Sequence, residues 1–187
     1  MSGFERTSTA EIARRAKVSK REIYTYFADK RTILSAAVAD VQNEMQRKMS
    51  GIWSSSDEVE VVLFRAATIL RDNFLSDRFG KLLRIVAAER CSIPQSAVQF
   101  YELGPMVGRR ATAAYLMSQM KLGKLRKTDS LKAADDFLDL VIGAQLITAL
   151  FLGQVDRMSL RRDHVKHIVE VFMKNFRSEG GGKKALS

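Results

Sequence analysis

The chain has 187 residues, 46% of them hydrophobic and 28% charged, with 31 Lys+Arg against 21 Asp+Glu for a formal charge of +10. That apolar fraction sustains a folded core and excludes disorder along most of the length. The longest apolar run, 137–152, is broken by Asp139 and Gln145 and falls short of the roughly 20 residues a membrane span needs, which excludes an integral membrane protein.

The elements read as helices from end to end, an all-α chain with only two prolines, Pro94 and Pro105, and no hairpin-turn dipeptides between alternating strands. Ser8-Thr9-Ala10-Glu11 and Ser19-Lys20-Arg21-Glu22 both have the spacing of a capping box and predict two short helices, Thr9–Ala16 and 20–27. Asp29 caps a third that runs to about Met49. A break over 51–56, with three consecutive serines, is followed by helices predicted over 57–75, 78–91, 94–122, 130–152 and 160–176. The segment 178–187, with three glycines and two lysines, reads as a flexible tail. The domains expected are a helix-turn-helix head over 1–47, a larger helical bundle over 48–177, and that tail.

The charge is concentrated at the start, where residues 1–31 hold eight Lys/Arg and four Asp/Glu. A surplus of cations suits an acidic partner such as nucleic acid, or is merely surface lysine and arginine. The first helix offers Ile12, Ala13 and Ala16 to the inside, and Val18 points inward from the turn. In the second, setting Ile23 inward at 100° per residue places Phe27 beside it and Arg21 and Thr25 opposite. A short helix with Lys, Arg, Thr and Tyr outside suits the major groove of DNA, although any helical hairpin also shows a solvated polar side.

The run Thr7 to Lys30, with its Ile12-Ala13, Ala16, Val18-Ser19, Ile23-Tyr24, Tyr26-Phe27 and Lys30 offsets and the following Ile33-Leu34, resembles the helix-turn-helix of the TetR family of bacterial repressors. The remainder, including Ala88-Glu89-Arg90, Phe100-Tyr101, Gly104-Pro105 and 137–153, is similar to the C-terminal domain of the AefR-like branch. The resemblance implies that Arg21 and Thr25 face bases while Thr7, Thr9, Lys20, Tyr24, Tyr26 and Lys30 contact phosphates. It also implies a helical domain that dimerises and binds a small effector. Two departures stand out. Lys17 occupies a turn position where the family usually has glycine, at a cost of roughly 1 kcal/mol if the backbone is left-handed. The family's motif also follows a long helix ending near a Gly-Phe pair, here Gly3-Phe4, so the sequence starts where that helix would finish. Ile12, Ala16, Ile23 and Phe27 are then expected to lack a partner.

Elsewhere the residues point to binding, not catalysis. No nucleophile–base spacing, phosphate loop, cofactor motif or metal-ligand cluster is present; His164 and His167 share a helix face without further ligands. Large adaptable side chains between Met45 and Met120 include Phe64, Tyr101, Met106 and Tyr115, which either pack as core or wall an apolar cavity for the effector. The helix beginning at Phe137 is apolar nearly all round, and the last one carries the stripe Val165, Ile168, Val169, Phe172, Phe176. Phe137–Leu152 and Leu160–Phe176 together either fill one subunit's core or form half of a homodimer interface. The reading is a cytoplasmic, non-enzymatic, homodimeric TetR-like repressor of operator DNA, released by a small apolar effector. The alternative is a ligand-binding or interaction protein of the same fold whose incomplete head does not bind DNA.

Overall fold

The computed structural model describes residues 4–151 and 162–178; the last part of the predicted tail, together with Leu152 and Leu160 at the ends of two predicted helices, lies outside the described residues. The described residues form nine helices and no strand. These are α1 (Thr9–Ala16), α2 (Lys20–Tyr26), α3 (Lys30–Met49), α4 (Val59–Phe74), α5 (Asp77–Ala88), α6 (Pro94–Leu103), α7 (Pro105–Lys121), α8 (Ser130–Phe151) and α9 (Arg162–Phe176). None is long and apolar enough to cross a membrane.

Local chemistry sets the boundaries in the head. Ser19 and Glu22 form the predicted capping box, with Glu22 N–H donating to Ser19 Oγ at 3.1 Å and Ser19 N–H to Glu22 Oε2 at 2.7 Å. Asp29 caps α3 reciprocally with Thr32. The expected box at Ser8 is only half made: its Oγ accepts from Glu11 N–H, but the Glu11 carboxylate turns to Arg14 and Arg15 instead. Two charged donors outcompete one backbone amide.

Two apolar clusters organise the rest. The larger joins α4, α7, α8 and α9 around Phe137 and Phe172, both fully buried and 5.3 Å apart edge to face. The smaller joins Leu34, Val38 and Val41 of α3 to Leu82 and Val86 of α5 and to Ile93 and Phe100 beside and within α6. One long helix thus belongs both to the head and to the body, because its first turn follows the α1–α2 hairpin and its middle packs on α5 and α6.

Two helices depart from the expected lengths. The stretch predicted as one helix from 94 to 122 is two, separated at Gly104 (φ −108°, ψ −91°). Pro105 has no N–H to continue the ladder and restricts the residue before it, so it starts α7 instead of extending α6. Helix α8 is interrupted at Gly143, whose φ of +29° and ψ of −126° are not helical.

The stripe on α9 takes the first of the two readings left open for it. Val165, Ile168, Val169, Phe172 and Phe176 are all buried inside their own subunit, against α4 and α8. An amphipathic stripe reports that a face is covered, not by what. Apolar side chains left in solvent include Leu131, Leu140, Leu146, Ile147 and Phe151 of α8, the last 81% exposed, beside others on α4 to α7 such as Val61, Ile85, Val98 and Met117.

Candidate nucleic-acid interface

The hairpin of α1 and α2 rests on Ala13 and Ile23, which are buried, with Phe27 half-buried beside them. Ala16 and Val18, expected to face inward, are exposed. The turn closes through Lys17 in the left-handed conformation (φ 57°, ψ 37°), its N–H bonded to the last carbonyls of α1. A side chain there is strained where glycine is not. Lys17→Gly is therefore expected to stabilise the protein by about 0.5–1 kcal/mol, read as a higher midpoint in thermal denaturation; a lower midpoint would show that the lysine earns its place through contacts.

The outer side of α2 presents Lys20, Arg21, Tyr24, Thr25 and Tyr26, all exposed, with Tyr26 at 80%. Thr9 Oγ1 and Tyr24 Oη share a hydrogen bond of 3.0 Å, so the start of α1 and the face of α2 form one continuous surface. The Lys20 ammonium lies 5.7 Å from the Tyr24 ring centre, and Thr25 Oγ1 donates to the Arg21 carbonyl at 3.1 Å. Of the eight residues expected to touch DNA, Lys20, Arg21, Tyr24, Thr25 and Tyr26 are exposed, and Thr9 is joined to them through Tyr24.

The other two are held differently. Thr7 is half-buried, its N–H donating to the Phe4 carbonyl at 3.2 Å. Lys30 Nζ donates to the Phe4 and Glu5 carbonyls at 3.1 and 3.0 Å, lies 3.4 Å from Glu5 Oε2, and sits 4.6 Å from the Phe4 ring centre. An ammonium has three donors, and here each already has an acceptor. A phosphate at Lys30 has to displace one.

The head's carboxylates are spent internally. The Arg14 and Arg15 guanidinium groups pull the Glu11 carboxyl down to about 2. Backbone donation from Ser19 lowers the pKa of Glu22, and the Thr32 N–H does the same for Asp29. Glu5 faces Lys30. Lys17, Lys20 and Arg21 stand exposed, and among the described residues no carboxylate pairs with them. Glu22 keeps its charge beside them, but Lys17, Lys20 and Arg21 outnumber it, so the field over α2 is net positive, as a polyanion requires.

The expected effector cluster does not assemble. Tyr115 is buried in the large core, its ring 5.3 Å from Trp53, and burial pushes its phenol up to about 12. Tyr101 is exposed on α6, and Met106 is half-buried in the first turn of α7. Phe64 instead lines an open groove of about 950 Å³ between α4 and α9, with Val61, Val169 and Met173 and a rim that includes Lys166 and Lys174. Residue type alone said which side chains can wall a cavity; helix placement scattered them.

Sequence reasoning missed Gln42. Its Nε2 donates to the Phe100 carbonyl at 3.1 Å, tying the middle of α3 to the end of α6 beside the Gly104–Pro105 break. Two residues to either side, Asp40 and Glu44 both pair with Arg78 of α5. A lone glutamine among polar residues of a helix carries no signal that its partner is a backbone carbonyl 58 positions away.

Residues 61–178 match the family model for the AefR-like transcriptional repressor C-terminal domain, and residues 2–37 match the model for bacterial regulatory proteins of the tetR family. Among solved structures, the chain is similar to a TetR-family transcriptional regulator from Mesorhizobium loti, with a TM-score of 0.78 and 23% identity over 93% of this chain and 88% of that one. It is also similar to the flavonoid-responsive regulator FrrA, with a TM-score of 0.70 and 26% identity over 95% and 90% of the two chains. A TetR-family regulator from Pseudomonas syringae pv. tomato aligns with a TM-score of 0.69 and 21% identity over 94% and 88%. No curated protein matches the chain.

Proposed function

The chain belongs to the TetR family of bacterial regulators, and we propose that it is a cytoplasmic, non-enzymatic homodimer that represses from a pseudo-palindromic operator and is released by a small apolar effector. The observation that carries the DNA reading is the exposed α2 surface, with Lys20, Arg21, Tyr24 and Thr25 outward and every nearby carboxylate occupied elsewhere. Arg21 and Thr25 face base edges; Thr7, Thr9, Lys20, Tyr24, Tyr26 and, after releasing an acceptor, Lys30 meet phosphates. Two copies of α2 read half-sites about one helical turn or a multiple of it apart.

Three features support the effector reading. The groove beside Phe64 has an apolar floor of Val61, Val169 and Met173. Helix α3 is tied to the body through Gln42 and Arg78, so a change in α6 or α5 reaches the head through one rigid element. The flavonoid-responsive relative at 26% identity favours an apolar aromatic molecule as the effector class. Phe64 keeps its place in this proposal; Tyr101, Met106 and Tyr115 do not share a wall with it.

Selection from a random duplex pool tests the DNA reading. An inverted repeat should emerge, and its affinity should fall steeply with salt, with log K dropping about 0.9 for each phosphate neutralised per decade of salt. If no duplex is enriched at low ionic strength, the ligand-binding alternative without DNA stands in its place.

A further inference from the structure

The turn that closes α7 is a cationic surface on a fixed backbone. Between Glu102 and Asp129 the sequence holds no carboxylate, and Lys121, Lys124, Arg126 and Lys127 fall within seven residues of that stretch. Helix α7 ends in a paired cap. The Lys124 N–H donates to the Gln119 carbonyl at 3.0 Å and the Gly123 N–H to the Met120 carbonyl at 3.1 Å, with Gly123 left-handed at φ +74°. Leu125 is buried, and the Arg126 N–H donates to the Phe176 carbonyl at 2.8 Å, which ties the turn to the end of α9. All four cations are exposed.

Their neighbours are paired and they are not. On α7 itself, Arg109 pairs with Asp135 and Arg110 with Glu102. Arg177, across from Leu125, pairs with Glu60. Among the described residues no carboxylate pairs with Lys121, Lys124, Arg126 or Lys127. Asp129 is the next acid along the chain, and its Oδ1 accepts the Leu131 N–H at 2.8 Å at the start of α8. Counting it, residues 121–129 carry four cations against one anion.

The turn lies far from α2. Gly104, before the first residue of α7, sits beside Gln42 in the middle of α3, and Tyr115 further along α7 meets Trp53, which follows the end of α3. Helix α7 therefore runs away from Lys30 and the hairpin, and its rise carries Lys121 about 24 Å from Pro105.

We infer that this turn is a second nucleic-acid contact, which holds the phosphates of a separate DNA segment while α2 holds the operator. The inference rests on the DNA reading above and adds a second surface to it. The chemistry matches a phosphate backbone and nothing finer. Residues 121–127 include no amide or aromatic side chain to read or stack on a base, and the one guanidinium, of Arg126, lies 5.6 Å from the Phe176 ring centre. Local supply favours DNA over other polyanions, because a protein seated on its operator is surrounded by duplex at high effective concentration. From the far end of α7 the turn takes a different segment, and the protein bridges the two.

The test loads the full chain on immobilised operator and measures capture of a labelled duplex that lacks the operator. Wild type is compared with the variant Lys121→Gln, Lys124→Gln, Arg126→Gln, Lys127→Gln. Four phosphate contacts predict that raising salt from about 50 to about 200 mM weakens wild-type capture about a hundredfold. The variant should lose capture at least about tenfold at the lower salt, yet hold the operator within about twofold, since the turn is more than a Debye length from α2. Equal capture by the two proteins overturns the inference and leaves operator binding standing. So does a variant that loses operator and capture together, because the turn is then not separate from the head. Binding of phosphatidylglycerol vesicles in place of the second duplex overturns it as well. A wild type that seats on no duplex removes the DNA reading and this inference together.

Discussion

Replacing Arg21 by alanine is expected to abolish discrimination at one base position in each half-site and to weaken operator binding by about 1–3 kcal/mol per half-site. The guanidinium is exposed on the outward side of α2, free of any carboxylate among the described residues, and its planar fork matches the two acceptors of a guanine edge. Lys20→Ala should behave differently. A point charge on phosphate weakens every sequence alike, and its loss flattens the plot of log K against log salt by about 0.9 per contact in each subunit. Fluorescence anisotropy against the operator and its single-base variants, at several salt concentrations, separates the two. An unchanged base preference in Arg21→Ala would remove α2 from the groove.

An aspartate at Ile147 is expected to convert the dimer to monomer. Burying an isoleucine side chain contributes about 1.5–3 kcal/mol, and two-fold symmetry counts the loss twice before the cost of two desolvated carboxylates is added. The dissociation constant should rise at least about a hundredfold, which is some 3 kcal/mol, and operator binding should fall with it. The corresponding change on α9 has another outcome. Phe172 is fully buried against Phe137 and Phe176, so Phe172→Ala should cost about 3–5 kcal/mol of subunit stability. Sedimentation and thermal denaturation on the two variants distinguish an interface residue from a core one. If Ile147→Asp remained fully dimeric, the interface would have to lie elsewhere.

How much of this was legible beforehand depends on whether the determinant is local. The caps at Ser19 and Asp29 act over three residues, and they fixed the starts of α2 and α3 where the spacing placed them. The outward order of Lys20, Arg21, Tyr24 and Thr25 follows from one angle per residue. Some failures are local, as at Ser8, where Glu11 pairs with Arg14 and Arg15, but the larger ones are tertiary. Val165 to Phe176 showed a stripe, but only the packed structure shows that α4 and α8 cover it. Phe64 packs against the same core that holds Tyr115, yet one lines a groove and the other is enclosed. Pro105 is a residue that cannot continue a helical ladder, although 94–122 was predicted as one helix, whereas Gly143 was hidden in a run whose hydrophobicity argued for one continuous helix.

The grip of the body on α3 has a mechanical corollary. Asp40, Gln42 and Glu44 are held, and Val38 and Val41 are buried, while Lys30 at the head end has no such hold from α5 or α6. The twelve helical rises from Lys30 to Gln42 make a stiff lever about 18 Å long. A tilt of about 10° about the gripped end swings Lys30 through about 3 Å, and two subunits tilting oppositely alter the spacing of their reading helices by about 6 Å. Half-sites lie about 34 Å apart on rigid DNA, and hydrogen bonds weaken within a few tenths of an ångström. A tilt of that size, which must also shift Leu34, Val38 and Val41 within their cluster, takes both α2 helices out of register with the operator.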